Sequence, residues 1–501
     1  MAVYLVTHIV ITSKNSTENS QIIKKLTDDE SYAICQMLRY KEELSDFAKR
    51  KGWKSKKEPV RFYIEDPQQF ILRPLDKTND KVAKIHYVKI PLGVGMTISK
   101  PGAFLYPNIY NRIEYTFKGS LFEHQVEPAL QAFKQLQQTK TTSLFLHTGF
   151  GKTMIAVWLA VHLQRTAVVV VSLGTLPDQW RDTFLKNTDA KVIDYRREPL
   201  TAETNVVICM KDSLTKLAAE FNPGLLIVDE AHLFCTPSGV KPLLATNPEY
   251  VIACTATPKR SNGMEKMMHA LCGTHSVTRI SQKPFNVIKI ETGVVIPDEH
   301  QTWHQMKEYL NQYGPIIELI HFLVLANIQH KFLILTNSIE RTTFLSQMFN
   351  ERGIPSDWMA KTKKMYKDSK VLVGTVDKVG TGFDEASFCK DFNGTKMDYL
   401  ILDGSFKSAT RTEQAIGRIL RAAEPTVIDI VHKHRILTNH FRERAKWYRS
   451  RNGKVRVHKL APQPTIETHN LEYISVNSEI LEDPVSGQRE LTFEEMYPDD
   501  E

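Results

Sequence analysis

Residues 143–163 read SLFLHTGFGKTMIAVWLAVHL: an apolar run, a short loop with two glycines and a second apolar run. The first run does not alternate with polar residues, which is typical of a strand buried on both faces of a parallel sheet. The second run is long enough for a helix. A glycine-containing loop that follows a strand, opens a helix and ends in Lys-Thr indicates a phosphate-binding site.

The loop itself, residues 147–153, has the chemistry that such a site needs. Gly149 and Gly151 allow tight turns, so that successive backbone N–H groups converge on phosphate oxygens at the start of a helix. Lys152 supplies a positive charge for the β- and γ-phosphates, and Thr153 offers a hydroxyl to Mg²⁺. A simple helix cap is the alternative, and the flanking strand and helix argue against it. The predicted phosphate-binding residues are His147, Thr148, Gly149, Phe150, Gly151, Lys152 and Thr153.

An acidic pair follows another apolar run, in LLIVDEAH at residues 225–232. A phosphate site needs an acidic residue at the end of a neighbouring strand, and Asp229 is placed to hold Mg²⁺ there. Glu230 can polarise the attacking water as a general base. Two acidic residues after a strand are usually only a solvated strand end. Their combination with the loop 147–153 favours a nucleotide site.

Apolar runs of this kind recur along the chain from residue 143 onward. Their β-branched residues predict strands of parallel sheets, with helices between them. The first series is 143–147, 167–172, 205–210, 224–230 and 251–257, and the second is 331–337, 371–376, 399–404 and 427–432. Two successive α/β domains are therefore predicted. The N-terminal region before them mixes a helix expected around 32–49 with strands expected at 60–65 and 84–91.

Composition limits the class of protein. Of the 501 residues, 42% are hydrophobic and 24% charged, which excludes a collagen-like or wholly disordered chain. The net charge of +8 is unevenly distributed. Residues 461–501 hold eight Glu and three Asp against one Arg, a net charge of −10, which leaves +18 on residues 1–460. We therefore predict an acidic tail over 461–501.

Three features concern the cellular compartment. Six scattered cysteines without a C-x-x-C pair argue against a disulfide framework and a zinc ribbon. The N-terminus has neither the basic start nor the small-residue cleavage site of a secretory signal. No apolar run approaches the ~18 residues of a membrane span. We expect a soluble intracellular protein that does not act at a membrane.

Several motifs together resemble those of superfamily 2 helicases, over residues 119–455. In chain order they are LFEHQ (121–125), HTGFGKT (147–153), SLGTLPDQW (172–180), KDSL (211–214), DEAH (229–232), TATP (255–258), VGTVDKVGTGFD (373–384) and QAIGRILR (414–421). Within this superfamily the DEAH-type motifs are most similar to the transcript-release helicases of poxviruses and their relatives in other large DNA viruses. They are also similar to the branch of excision-repair and phage recombination helicases.

The resemblance implies two tandem RecA-like parallel-sheet domains that bind ATP and Mg²⁺, with Thr153 and Asp229 as the Mg²⁺ ligands. It implies further nucleotide contacts, which come from Gln125, His232, Gly382, Asp384 and Gln414. It also implies residues that couple nucleotide binding to nucleic acid, namely Gln179, Trp180, Thr255, Thr257 and Thr375.

The segment QAIGRILR is expected to place Gln414, Gly417, Arg418 and Arg421 on one face of a helix, because they are three and four residues apart. Taken alone, this pattern is typical of an amphipathic helix with two solvated arginines. The resemblance implies instead that Arg418 and Arg421 reach the γ-phosphate bound by the first sheet. Arginine fingers of this kind contribute about 10³–10⁵ in rate.

The predicted domains are an N-terminal α+β accessory domain (1–118), an ATP-binding RecA-like domain (119–282), a second RecA-like domain (283–460) and the acidic tail (461–501).

The resemblance implies a monomeric, nucleic-acid-stimulated ATPase that moves on single-stranded or branched duplex DNA, in viral transcript release or in repair and recombination. RNA or an RNA–DNA hybrid is the alternative substrate, and transcription or repair proteins are the implied partners. A duplex-DNA translocase that never unwinds and a transcription factor with a vestigial motor are alternative functions. A viral protein of this type would act in the host cytoplasm or nucleus, or be packaged in the virion.

Two basic stretches are candidates for nucleic-acid contact, because positive charge suits the backbone and aromatic faces suit the bases. Residues 49–57 hold six basic residues around Trp53. Residues 431–460 hold ten Lys and Arg against one Glu, with Trp447 and Tyr448 among them. The alternative for the second stretch is a helix that packs on the second sheet through apolar residues at helical spacing, namely Leu437, Phe441, Ala445 and Tyr448.

Overall fold

The computed structural model describes residues 112–460, except 173, 175, 247, 257–265, 298–301, 362, 364, 381, 382 and 384, together with five short strands between residues 3 and 90. The chain divides into two compact units. The first unit comprises Met1–Gln282, Val379–Phe392 and Glu413–Arg418, and the second comprises Lys283–Lys378, Asn393–Thr412 and Ile419–Glu501. The predicted acidic tail and the basic stretch 49–57 lie outside the described residues.

The N-terminal strands are β1 (Val3–Val6), β2 (Arg39–Tyr40), β3 (Val60–Arg61), β4 (Ile64–Asp66) and β5 (Tyr87–Ile90). They pair in antiparallel fashion, β5 with β1 and β4, and β2 with β3. The strand predicted at 84–91 is confirmed by β5, and the one at 60–65 is divided between β3 and β4. The prediction of a helix around 32–49 is wrong at residues 39–40, which form β2. There, pairing with the distant strand β3 outweighs the local helical preference.

The first unit is built on a sheet of seven parallel strands in the order β12-β6-β11-β10-β7-β9-β8. These strands are β6 (Thr141–Leu146), β7 (Ala167–Val171), β8 (Val192–Asp194), β9 (Val206–Met210), β10 (Leu225–Asp229), β11 (Tyr250–Thr255) and β12 (Ser276–Arg279). Consecutive residues of β7 pack into two different apolar clusters, with Val168 and Val170 in one and Val169 and Val171 in the other. The strand is therefore buried on both faces, which explains its unbroken run of valines.

Helices connect these strands and cover the sheet. They are α1 (Glu123–Thr139), α2 (Lys152–Leu163), α3 (Leu176–Asn187), α4 (Leu214–Glu220), α5 (Pro237–Ala245) and α6 (Lys266–Cys272). Short 3₁₀ turns occupy Lys211–Ser213 and Ala231–Phe234. Parallel neighbours require such crossover connections, because a tight hairpin can join only antiparallel strands.

The second unit also contains seven parallel strands, in the order β15-β16-β14-β17-β18-β13-β19. They are β13 (Phe285–Val295), β14 (Phe332–Thr336), β15 (Ser356–Met359), β16 (Val371–Thr375), β17 (Tyr399–Leu402), β18 (Thr426–Lys433) and β19 (Gly453–Lys459). The helices that follow β13 along the chain are α7 (Trp303–Gln312), α8 (Gly314–Ala326), α9 (Ile339–Glu351), α10 (Val376–Gly380), α11 (Glu385–Phe388), α12 (Ala409–Ile416) and α13 (Arg435–Ser450). Among the described residues, no helix is both long and apolar enough to cross a bilayer.

All nine predicted strands of the two α/β series are present, so the predicted fold of two tandem RecA-like parallel sheets is confirmed. The strands that the sequence patterns missed are β8, β12, β13, β15 and β19. Four of these five are the outermost strands of the two sheets. An outermost strand has a neighbour on one side only and is less buried, so it lacks the continuous apolar run by which the central strands were found.

Helix α13 packs on the second sheet, as the alternative interpretation of residues 431–460 predicted. Leu437, Phe441, Ala445 and Tyr448 are all buried. Trp447 is buried as well, so neither aromatic ring of this stretch presents a face to bases. Arg444 is also buried, and it pairs with the Asp429 carboxylate through Nε and Nη2 at 2.9 and 2.7 Å. The expected aromatic contact with nucleic acid is therefore wrong for this stretch, because its rings form part of the core.

Candidate nucleotide site

Three central strands of the first sheet end at the same edge. Strand β11 lies between β6 and β10, with Thr255 opposite Phe145 and Cys254 opposite Asp229. The loop 147–153 begins at this edge, directly after the last residue of β6, and Glu230 directly follows the last residue of β10. In open parallel sheets, ligands bind at the carboxyl ends of the strands. The topology therefore places the predicted phosphate loop and acidic pair at one edge.

The phosphate loop is shaped by its two glycines. Gly149 and Gly151 have φ angles of +85° and +96°, a left-handed region that costs other residues roughly 1–2 kcal/mol. Gly151 is also the N-cap of α2, so the loop runs directly into the helix. Phe150 between them is buried and anchors the loop. The backbone N–H groups at a helix N-terminus bind anions well.

The Lys152 ammonium lies at the same edge. Its Nζ donates to the carbonyl oxygen of Leu146, the last residue of β6, at 3.0 Å. Its charge also lowers the pKa of both Asp229 and Glu230, against the larger opposing effect of burial. The lysine therefore lies close enough to both carboxylates to form one site with them.

Gln125, the predicted adenine contact, is buried on α1 and bonded within the protein. Its Nε2 donates to the carbonyl of Phe150 at 2.8 Å, and its Oε1 accepts from the N–H of Phe122 at 3.0 Å. Gln125 thus braces the phosphate loop against the start of α1. An adenine contact remains a prediction, which the second N–H of Nε2 and the second lone pair of Oε1 could make without loss of these bonds.

The Asp229 carboxylate is buried and hydrogen bonded through both oxygens. Oδ2 accepts from the indole N–H of Trp180 at 2.7 Å, and Oδ1 accepts from the backbone N–H of Glu230 at 2.9 Å. Burial raises the pKa of Asp229 to about 6, and the charge of Glu230 adds to the effect. The Trp180 hydrogen bond and the Lys152 charge oppose it. Asp229 is thus held in one orientation at the end of β10.

Glu230 has a left-handed backbone, with φ +46° and ψ +49°. Burial raises the pKa of its carboxyl, while Lys152 and Arg418 lower it. Its buried Oε2 lies 3.4 Å from Nδ1 of His232 but accepts no hydrogen bond from any residue that the structure describes. A left-handed non-glycine residue costs roughly 1–3 kcal/mol and is often found at functional sites. A strained residue with an unsatisfied buried carboxylate oxygen is well suited to receive a proton from water.

His232 and Thr255 connect two neighbouring strand ends. Nδ1 of His232 lies 2.9 Å from the Thr255 hydroxyl, and both residues are buried. The acidic motif after β10 therefore contacts the end of β11. Thr257 lies outside the described residues, so its predicted role remains a prediction.

Residues Glu413–Arg418 cluster with the first unit. A Cβ added to Gly417 would lie 2.6 Å from Cβ of Thr148, so this segment approaches the phosphate loop closely. Gln414 is buried, and Arg418 is half-buried and donates to the carbonyl of Phe383. The predicted helix over QAIGRILR is wrong in its second half, because α12 ends at Ile416 and turns follow.

The remaining predicted residues are distributed as follows. Arg421 is exposed and belongs to the second unit, and Thr375 ends β16 there. Gly382 and Asp384 lie outside the described residues. Gln179 is half-buried on α3, next to the buried Trp180. The contact between Trp180 and Asp229 was not predicted, although Leu176, Trp180 and Phe184 have the spacing of a core-facing helix stripe.

The residues present suit Mg²⁺, which prefers hard oxygen ligands. Asp229 supplies an oriented carboxylate with lone pairs left after its two hydrogen bonds. Thr153 supplies a hydroxyl in the first turn of α2. These two residues would hold the ion, whose charge would be shared with nucleotide phosphates bound at the loop 147–153.

Sequence comparison finds a matching family model and similar viral proteins. Residues 118–260 match the family model described as type III restriction enzyme, res subunit. The putative helicase 161L of Invertebrate iridescent virus 6 is 26% identical over 418 residues, which cover 75% of this chain and 90% of that protein. The putative helicase 109L of Invertebrate iridescent virus 3 is 30% identical over 226 residues, 42% of this chain and 68% of that protein.

A third relative extends the comparison to another group of viruses. The putative ATP-dependent RNA helicase L396 of Acanthamoeba polyphaga mimivirus is 23% identical over 348 residues, 64% of this chain and 65% of that protein. The family-model match over residues 118–260 includes the loop 147–153 and the acidic pair Asp229 and Glu230. The chain therefore belongs to the superfamily 2 helicases, the ATP-dependent enzymes that its motifs predicted.

Proposed function

We propose that this helicase is a nucleic-acid-stimulated ATPase that moves along DNA and separates its strands. The observation that carries the proposal is the carboxylate of Glu230, whose buried Oε2 accepts no hydrogen bond from any residue that the structure describes and on which the charges of Lys152 and Arg418 act. A carboxylate in this setting is poised to take a proton from water next to a bound γ-phosphate.

Each residue of the site has a proposed role. Lys152 and the N–H groups of the phosphate loop bind and orient the β- and γ-phosphates. Thr153 and Asp229 hold Mg²⁺, which when bound neutralises phosphate charge. Arg418 supplies positive charge as the γ-phosphate leaves, because its charge already acts on Glu230. Arg421 is the second proposed arginine finger.

The contact between His232 and Thr255 supports coupling to nucleic acid. A movement of Glu230 would displace His232, which lies two residues later in the chain. His232 would transmit this displacement to the end of β11 through its 2.9 Å contact with the Thr255 hydroxyl. Thr257, Thr375 and Gln179 complete the proposed coupling set, together with Trp180.

The proposed substrate is single-stranded or branched duplex DNA. Exposed basic side chains on β19 offer backbone contacts in the second unit, namely Lys454, Arg456 and Lys459. RNA and RNA–DNA hybrids are the alternative, favoured by the similarity to the mimivirus relative, a putative ATP-dependent RNA helicase. The DEAH-type, poxvirus-like placement, with work in transcript release or repair, remains our proposal for the biological role.

The test is ATP turnover by the full chain with single-stranded DNA, duplex DNA, branched DNA, RNA and an RNA–DNA hybrid. We expect stimulation by DNA and near-complete loss of turnover in Lys152→Ala. Lys191→Ala is the matched control, because Lys191 is exposed and pairs with Glu203 on the surface. Equal turnover with and without nucleic acid would contradict the proposal. Stimulation without displacement of an annealed strand would favour the translocase alternative.

A further inference from the structure

We propose that Trp180 is a positioning residue for the metal ligand Asp229 and links helix α3 to the nucleotide site. The inference rests on the proposed function, in which Asp229 holds Mg²⁺. It goes further by assigning the orientation of that carboxylate, and its response to nucleic acid, to one indole N–H group.

The first step is the hydrogen bond itself. The Trp180 indole donates to Oδ2 of Asp229 at 2.7 Å, while the Glu230 N–H occupies one position on Oδ1. Trp180 is 1% exposed and Asp229 is 8% exposed, so water does not compete for this bond. A carboxylate has about four lone-pair positions, so two bonds fix its plane and leave positions open for a cation.

The second step is the rigidity of the donor. An indole N–H donates only and cannot exchange roles with its partner. The Trp180 ring packs near Phe184, with the ring centroids 6.3 Å apart, in the apolar cluster under α3. The ring therefore cannot turn away from Asp229 without disturbing that cluster, and the position of the donor follows the position of α3.

The third step connects α3 to nucleic acid. Gln179, a predicted coupling residue, precedes Trp180 on this helix and is half-buried. Helix α3 begins at Leu176, shortly after β7 ends at Val171. A nucleic-acid strand that displaced the start of α3 would also move the indole, and would thereby reorient Asp229 through the 2.7 Å hydrogen bond. Trp180 thereby acts through Asp229, from the interior, without touching nucleic acid.

The test uses Trp180→Phe, which keeps an aromatic ring and removes the N–H donor. The matched control is Trp158→Phe on α2, where the indole stacks on His162 with centroids 3.8 Å apart. The readout is binding of a fluorescent ADP analogue to the full chain as Mg²⁺ is titrated, which needs no hydrolysis. Loss of a group that orients a metal ligand typically weakens metal affinity about 10–100-fold.

We expect the Mg²⁺ midpoint to rise by about 10–100-fold in Trp180→Phe and to stay at the wild-type value in Trp158→Phe. Stimulation of ATP turnover by DNA should fall in Trp180→Phe, while its affinity for the same oligonucleotide is retained. An unchanged Mg²⁺ midpoint in a folded Trp180→Phe variant overturns the inference alone. Failure of the wild-type chain to bind the nucleotide overturns the proposed function as well.

A second measurement covers the case in which Trp180→Phe does not fold. The wild-type chain, with its six tryptophans, is labelled with 5-fluorotryptophan and followed by ¹⁹F NMR. The Trp180 resonance is assigned by elimination, with Trp→Phe variants at the other five positions. It should shift when Mg²⁺ is added to the ADP-bound protein, and a resonance that does not move overturns the inference.

Discussion

The backbone N–H of Glu230 donates to Oδ1 of Asp229, so the main chain of the second acidic residue helps to orient the carboxylate of the first. The left-handed conformation of Glu230 turns the chain at this point. As a result, two adjacent acidic residues have different partners. Asp229 accepts hydrogen bonds from the Trp180 indole and the Glu230 backbone. The Glu230 carboxylate lies near His232, and the charges of Lys152 and Arg418 lower its pKa against the larger effect of burial.

Replacing Glu230 with Gln should separate nucleotide binding from hydrolysis. The amide keeps the shape of the side chain but cannot accept a proton from water, so kcat should fall by about 10²–10⁴. Binding of a fluorescent ADP analogue should stay near the wild-type value. Glu203→Gln, at an exposed glutamate on the same unit, is the control and should leave both quantities unchanged. Loss of nucleotide binding in Glu230→Gln would show that this residue has been misassigned.

Replacing Arg418 with Ala should slow hydrolysis by about 10³–10⁵, the range measured for arginine fingers. The expected effect is on kcat, because the guanidinium acts mainly on charge that develops as the phosphate leaves. Arg411→Ala provides the comparison, since Arg411 forms an exposed ion pair with Asp377 at 2.8 Å. Similar turnover of the two variants would contradict a catalytic role for Arg418.

Replacing Arg444 with Met should lower the free energy of unfolding of the second unit by about 3–5 kcal/mol. The loss leaves the Asp429 carboxylate buried with only the Tyr448 hydroxyl, which donates to it at 2.6 Å. Lys446→Ala on the same helix is the control, because its pair with Glu443 is exposed and contributes less than about 1 kcal/mol. Urea unfolding followed by circular dichroism measures both variants, and equal midpoints would refute the prediction.

The second unit should lose stability as the pH falls from about 6.5 to about 4. Burial lowers the pKa of His432 to about 4, whereas an unfolded chain has a histidine pKa of about 6.5. In this window the unfolded chain binds the extra proton, so acid favours unfolding by up to about 3 kcal/mol. His432→Asn should reduce the pH dependence of the urea midpoint. The exposed His304→Gln should not, and an identical pH slope in all three proteins would contradict the prediction.

Local patterns were sufficient to predict the central strands and the glycine-containing loop 147–153 between a strand and a helix. Strands β7 and β10 are buried on both faces, so their apolar runs are unbroken and could be identified without a partner strand. Gly149 and Gly151 lie directly between a strand and a helix, and the positive φ angles that they adopt are those that glycine permits most readily.

Other features depend on residues distant in sequence. Arg444 appeared as one of ten basic residues in 431–460, yet Asp429 and the fold of α13 place it in the core. The helix over QAIGRILR ends at Ile416, where Gly417 approaches Thr148 of the phosphate loop. Helical spacing could not predict either result, because both depend on the residues from other parts of the chain that pack against these two segments.

The sequence by itself determined the fold class and the superfamily, and it predicted the candidate phosphate-binding and acidic residues, because these follow from local periodicity and from motifs of fixed spacing. Only the tertiary structure decided how those residues are held. It joins Trp180 to Asp229 across 49 positions of the chain and Gln125 to the phosphate loop across 25. Such contacts arise when parallel strands align their carboxyl ends at one edge, which no local pattern encodes.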